Sequence, residues 1–295
     1  MQRLAAWVTL LLLLGASACS GEAVPIGDDP VPTTGRPITT RRPTTTGPDA
    51  PPGLLLQVRN SGSYWDSFQT VFATVPSVTL YADGVVIRRG PQDASHPGPA
   101  LPPLLTGTIG DDAVRSATTA ARDAGLARDP DLGEPTITDQ STTKFTFVEE
   151  GRTHRVSAYA LDMDDLLGLS SEQKDNRRRL IDLQRRLGDL TTTAVEPYRA
   201  SVISVLVLKP GEGGSPAAPA GGEADWPLGD LSGGGVPKLG GRCLGFTGPD
   251  AGRVLAAAGG ATTNTRWRSG GTTWSLAFRP ELPGDSPCTQ ITVPP

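Results

Sequence analysis

The sequence predicts an α+β fold: an antiparallel sheet of hairpins with two main helices, plus a smaller disulfide-closed α+β unit at the C-terminus. Three observations predict it. Val78 to Ala82 and Val85 to Arg89 flank Asp83-Gly84, and a two-residue Asp-Gly between apolar runs is a strong hairpin signal. Lys144 to Val148 and Thr153 to Tyr159 flank Glu149-Glu150-Gly151-Arg152 as a second hairpin. Two segments of helical period, near 111–124 and 170–190, separate these strands, which is the pattern of helices covering one face of an antiparallel sheet.

Leu54 to Arg59 reads as the first strand, and Pro91 to Pro103 as a proline-rich loop. Asp111 or Asp112 can cap a helix running through Ala124, with Gly125 at the C′ position. Ser170 opens the longer helix and Gln173, three residues on, completes a capping box. Leu180, Ile181, Leu183, Leu187 and Leu190 are its apolar stripe. Val202 to Leu208 (VISVLVL) is too short to span a bilayer and reads as a buried strand. Beyond a low-complexity stretch, Cys243 to Phe246 suggests a strand and Pro249 to Ala258 a helix. Thr262 to Arg268 and Thr272 to Phe278 suggest a hairpin around Ser269-Gly270-Gly271. The expected organisation is 1–18 as signal peptide, 19–53 as tether, 54–208 as an α+β domain, 209–241 as a Gly/Pro-rich linker and 242–295 as the small unit.

Composition narrows the function classes. The 36 glycines and 28 prolines exceed ordinary usage and belong in turns, linkers and loops. A net charge of −4 argues against nucleic acid as an electrostatic partner. A polytopic membrane protein would need repeated apolar runs of about 20 residues.

The N-terminus is a targeting segment. Met1-Gln2-Arg3 is a short positive region, and Leu4 to Ala16 is an apolar run of signal-peptide length. Ala16, Ser17 and Ala18 precede Cys19, as in a bacterial lipobox, where the cysteine becomes the lipid-bearing N-terminus. Ala16-Ser17-Ala18 also satisfies the A-x-A rule of ordinary secretion, so a secreted form is the alternative. Lipid attachment accounts for the odd one of the three cysteines. Several acyl chains, palmitate among them, give stable anchoring where one gives marginal binding. The expected location is therefore the extracytoplasmic face of the cell membrane. The segment 30–52 carries seven prolines and seven threonines and reads as a disordered spacer. At about 3.1 Å per residue, the 33 residues from Ser20 to Pro52 would reach roughly 100 Å if fully extended. Cys243 and Cys288 then pair as a disulfide closing 46 residues, in preference to two free thiols or a metal pair.

Leu80-Tyr81-Ala82-Asp83-Gly84-Val85-Val86-Ile87, the loop from His96 to Pro102 and Gly168-Leu169-Ser170-Ser171-Glu172-Gln173 carry a resemblance. With the closing Trp274-Ser275, Phe278-Arg279-Pro280, Leu282-Pro283 and Cys288, they resemble uncharacterised actinobacterial cell-surface lipoproteins. The resemblance covers nearly all of the mature domain. It implies localisation and architecture and carries over no catalytic residue.

The chemistry-bearing candidates are few. The chain holds two histidines, His96 in the Pro/Gly loop and His154 in a strand, and a Ser-His-Asp hydrolase would need one of them. Gly168 to Glu172 begins like a nucleophile elbow, but glutamate stands where the last glycine belongs. Ser171 and Lys174 match S-x-x-K without usable companion elements, and a helix cap explains them as well. Asp162, Asp164 and Asp165 are a dense acidic cluster without the glycine and glutamate of a calcium loop. Arg177, Arg178, Arg179, Arg185 and Arg186 make the long helix basic and could face anionic lipid or wall polymer, although a solvated face balanced by nearby acids accounts for them. Trp226, Trp267 and Trp274 with Phe246 and Phe278 could line a carbohydrate platform or fill a small core. No cofactor motif is present. The favoured reading is a lipid-anchored envelope protein with a non-catalytic binding or structural role, whose partners are the membrane and a wall polymer or envelope protein. A hydrolase based on His96 or Ser171 is the alternative, and a solute-binding receptor is a third reading.

Overall fold

The structure, a computed structural model, describes residues 50–61, 67–92, 94–163, 168–190, 192–209 and 222–289. The signal segment, Cys19, the tether up to residue 49, Asp164, Asp165 and residues 210–221 lie outside the described residues.

The chain begins with β1 (Leu54–Ser61), the short helix α1 (Phe68–Ala73), β2 (Val78–Tyr81), β3 (Val85–Arg89) and β4 (Leu104–Thr108). Then come α2 (Asp111–Asp123), β5 (Thr142–Glu149), β6 (Arg152–Tyr159), α3 (Ser171–Gly188), β7 (Thr193–Pro197) and β8 (Val202–Leu208). The last stretch holds β9 (Glu223–Asp225), β10 (Val236–Lys238), β11 (Gly241–Thr247), α4 (Gly248–Gly259), β12 (Arg266–Ser269) and β13 (Thr272–Pro280). Among the described residues, one sheet has the order β6-β5-β1-β2-β3-β4-β7 and is antiparallel throughout. A second has the order β10-β11-β8-β13-β12-β9, antiparallel except for the parallel β9–β12 pair.

The turns follow local chemistry. In the β2–β3 connection Asp83 Oδ1 accepts the Val85 N–H at 3.1 Å, and Gly84 sits at φ +83°. A Cβ there would stand 2.4 Å from the Ile109 carbonyl oxygen, so only glycine fits. Glu150 and Gly151 both take positive φ, as the two-residue turn joining β5 to β6 requires. The predicted capping box opens α3: Ser170 Oγ accepts the Gln173 N–H at 3.2 Å, and Gln173 Oε1 accepts the Ser170 N–H at 2.9 Å.

Helices α2 and α3 cover one face of the first sheet. Their Ala117, Ala121, Leu180, Leu183 and Leu187 pack on Val58, Leu80, Phe145 and Phe147. Helix α4 covers one face of the second sheet, with Val254 and Ala258 against Val205, Val207, Trp267 and Phe278. Between the sheets, Phe72 of α1 meets Leu206, Leu208 and Ala277, while Leu282 joins Val75, Tyr81, Ile87 and Leu104. Strand β8 belongs to the second sheet, paired to β11 and β13, although its place in sequence groups it with the first. It reads as apolar at every position but Ser204 because both of its faces are covered. Strands β9 and β10 also fall inside the stretch read as linker, and α1, β4 and β7 add to the elements expected.

The Cys243–Cys288 disulfide is present and fastens the segment after β13 to β11. Gly245 permits the approach: a Cβ there would lie 2.5 Å from the Pro287 ring. No helix among the described residues is long and apolar enough to cross a membrane. Replacing both cysteines by alanine should cost about 2–4 kcal/mol of stability. Urea unfolding with and without reductant checks this, and the reductant should leave the double variant unaffected.

Candidate functional site

The densest group of polar side chains withdrawn from water lies at the junction of the two sheets. The β8–β13 register sets Ser204 opposite Arg279, and the alternation that turns Leu206 and Ala277 inward turns these two inward as well. Glu281, two residues on, keeps to the same face, its N–H continuing the ladder to the Val202 carbonyl at 3.0 Å. Ser204 Oγ donates to Glu281 Oε1 at 2.5 Å and accepts the Cys288 N–H at 2.9 Å. Arg279 Nε stands 3.2 Å from Glu281 Oε2, both side chains being almost fully buried.

The first sheet grips the same segment through its backbone. Tyr198, just after β7, donates its hydroxyl to the Glu281 carbonyl at 3.0 Å, and Tyr81 of β2 donates to the Pro283 carbonyl at 3.1 Å. Arg59 of β1 and Asp285 complete the group electrostatically. Asp285 Oδ2 is buried without a hydrogen-bond partner among the described residues.

Withdrawal from water sets the proton affinities. Desolvation raises the Glu281 and Asp285 carboxyls, against the opposing pull of Arg279. It also raises the Tyr81 hydroxyl well above its usual value and pushes Tyr198 up to about 12, with Asp285 adding to both. Burial, and then Arg279, lower the Arg59 guanidinium to about 10. The arrangement holds charge at a cost and engages its serine and one acid with each other. Chemically it is a latch that fixes the 281–285 segment between the sheets.

The residues singled out in the sequence fall elsewhere. His96 is exposed in its loop, and His154 is half-buried with its ring 6.1 Å from that of Phe147. Ser171 is an exposed first-turn residue of α3, on the far side of the first sheet from the junction. Asp162 is exposed. Among the described residues no group of three or more His, Cys, Asp or Glu side chains gathers as a metal site. The aromatic group is interior: Trp226 lies 5.7 Å from Phe246 and 6.1 Å from Trp267, which lies 5.4 Å from Phe278. Trp274 is also buried, with the Arg242 guanidinium 5.8 Å from its ring centre. These rings fill a core and offer no surface platform.

Arg177 does not share the solvated face expected of the basic helix. Arg178 and Arg185 lie on a solvated face, paired with Asp175 at 2.6 Å and Asp182 at 2.9 Å. Arg177 is instead 4% exposed, donating to the carbonyls of Leu132 at 3.3 Å, Tyr159 at 2.6 Å and Ala160 at 2.7 Å. Backbone carbonyls at the end of β6, just past it and in the 131–132 loop converge on one guanidinium, which serves all three. Arg177→Met should destabilise by about 3 kcal/mol, because buried carbonyls are left unpaired. Arg178→Met should change stability by less than about 0.5 kcal/mol. Chemical denaturation of the two variants side by side tests the contrast.

The junction was not found from sequence. Its signal is faint: two charged residues, Arg279 and Glu281, adjoin an apolar strand, within the same closing segment that carries the resemblance. No protein-family model matches the chain, and none of the curated proteins is significantly similar to it.

Because the folded values of Glu281 and Asp285 lie above the unfolded ones, the stability they contribute is present in full below the ordinary carboxylate range. It is lost as pH rises through the folded values. Arg279→Met leaves Glu281 buried without its counter-charge and should cost about 3–5 kcal/mol near neutral pH. That loss should shrink as pH falls and the carboxyl takes up a proton, which urea midpoints measured across a pH series would show.

Proposed function

We propose that the chain is a lipid-anchored extracytoplasmic protein whose α+β body serves as a non-catalytic binding or structural module of the cell envelope. The observation that carries this reading is the Cys243–Cys288 disulfide, since such bonds persist in oxidising compartments outside the cytosol. The lipobox-like Ala16-Ser17-Ala18-Cys19 and the Pro/Thr tether supply an anchor and a spacer for a body held above the bilayer. The resemblance to actinobacterial cell-surface lipoproteins favours the same placement. A binding or structural role suits a body whose most strongly perturbed groups hold its own chain together, with Ser204, Glu281 and Arg279 engaged by one another.

The test is mass spectrometry of the mature N-terminus combined with membrane fractionation. The expected result is an acylated Cys19 in the membrane fraction, with Cys19→Ser shifting the protein to the soluble or secreted fraction. A mature N-terminus other than Cys19, without acyl chains, overturns the anchoring.

A further inference from the structure

The entry of the chain into its folded body lies against the latch. Leu282-Pro283-Gly284-Asp285 closes on itself, the Asp285 N–H donating to the Leu282 carbonyl at 3.0 Å, with Gly284 at φ +83° as in a type II turn. A Cβ on Gly284 would stand 2.8 Å from Pro51 Cβ and 3.0 Å from Pro52 Cδ, so the bare glycine backbone sits directly on the two prolines. Tyr81 ties the same parts together. Its hydroxyl donates to the Pro283 carbonyl at 3.1 Å, and its ring stands 3.9 Å from where a Cβ on Gly53 would be. The next residue, Ala82, donates its N–H to the Gly53 carbonyl at 2.8 Å. The Leu54 N–H donates back to the Pro51 carbonyl at 3.1 Å, and Leu54 then starts β1, paired with β2 on one side and β5 on the other.

The far end of the latch is fastened at Cys288. Its N–H meets Ser204 Oγ, and its sulfur is bonded to that of Cys243 in β11. Cys243 is 1% exposed whereas Cys288 is half-buried, so a thiol arriving from solvent meets Cys288 first. Between Leu282 and Cys288 the segment buries little: Pro283, Gly284 and Ser286 are exposed. A stretch with few buried apolar contacts opens locally at low free energy, and the covalent bond at its end opposes that opening.

We propose that the latch is a thiol-operated clamp on the entry of the chain. With the Cys243–Cys288 bond closed it holds residues 51–54 against the body, and cleavage by a dithiol frees both segments while the two sheets stay folded. In the exchange the dithiol's thiolate attacks Cys288 Sγ, and Cys243 departs as a thiolate and takes up a proton. The second thiol then displaces Cys288 as a thiol and leaves the dithiol oxidised to a disulfide. The role of the clamp rests on the anchored reading: there the entry is the root of the tether, and the clamp sets how stiffly the body is joined to its anchor.

Hydrogen exchange followed by mass spectrometry, on the full chain in detergent before and after dithiothreitol, tests this. Peptides covering 53–55 and 281–289 should exchange at least about tenfold faster after reduction, and those of β5 and β6 should change less than about twofold. Cys243→Ala/Cys288→Ala should show the faster rates with and without dithiothreitol. Gly284→Ala sets a methyl group against the prolines and should loosen 53–55 with the disulfide intact, while thermal melting confirms that each variant folds. A latch unchanged by complete reduction, an entry unchanged once the latch is loosened, equal acceleration in β5 and β6, or wild-type rates in Gly284→Ala overturns the clamp. Acylated Cys19 on a chain whose entry ignores reduction overturns the clamp alone, and a working clamp on a chain lacking acylated Cys19 overturns the anchoring alone.

Discussion

Strand β8 is buried on both faces, and most of the molecule depends on how it meets that constraint. Ile203, Val205 and Val207 face α4 and the aromatic core, while Leu206 and Leu208 face Phe72 of α1. Each buried aliphatic side chain contributes about 1.5–3 kcal/mol when removed from water. The strand therefore draws α4, β11 and β13 to itself and, through Phe72, the part of the chain that forms the first sheet. Ser204 interrupts the apolar run at the position where the second sheet must accommodate Glu281.

A charged group in such a place is a compromise. Desolvation opposes the ionised form of Glu281, and the pull of Arg279 and the hydrogen bond from Ser204 compensate only in part. An apolar replacement of comparable shape would often be as stable. What the polar version adds is direction: serine, guanidinium and two tyrosine hydroxyls leave one position for the 281–285 segment, and a greasy patch would tolerate several. The Cys243–Cys288 bond secures the same segment three residues further along. Hydrogen bonds and a covalent link thus define the junction between two sheets whose own cores lie on their outer, helix-covered sides.

The sequence by itself determined the local structure. The Asp83-Gly84 turn, the Ser170–Gln173 capping box, the α2 boundary before Gly125 and the cysteine pairing were legible because each depends on residues close in sequence or, for the cysteines, on there being just two beyond the N-terminal segment. The aromatic residues read equally well as a core or as a surface platform, and only their surroundings separated the two. Tertiary structure alone decided that β8 joins the second sheet, since an apolar strand of seven residues carries no mark of its partner. It also decided the fate of the arginines. Arg177 and Arg178 are neighbours of identical type on one helix, but the rotation of about 100° between successive residues sends one to backbone carbonyls inside the protein and the other to solvent. Likewise Arg279 and Glu281 are ordinary surface residues by type. They became the junction because β8 and β13, about 70 residues apart in sequence, pair in a register that buries them.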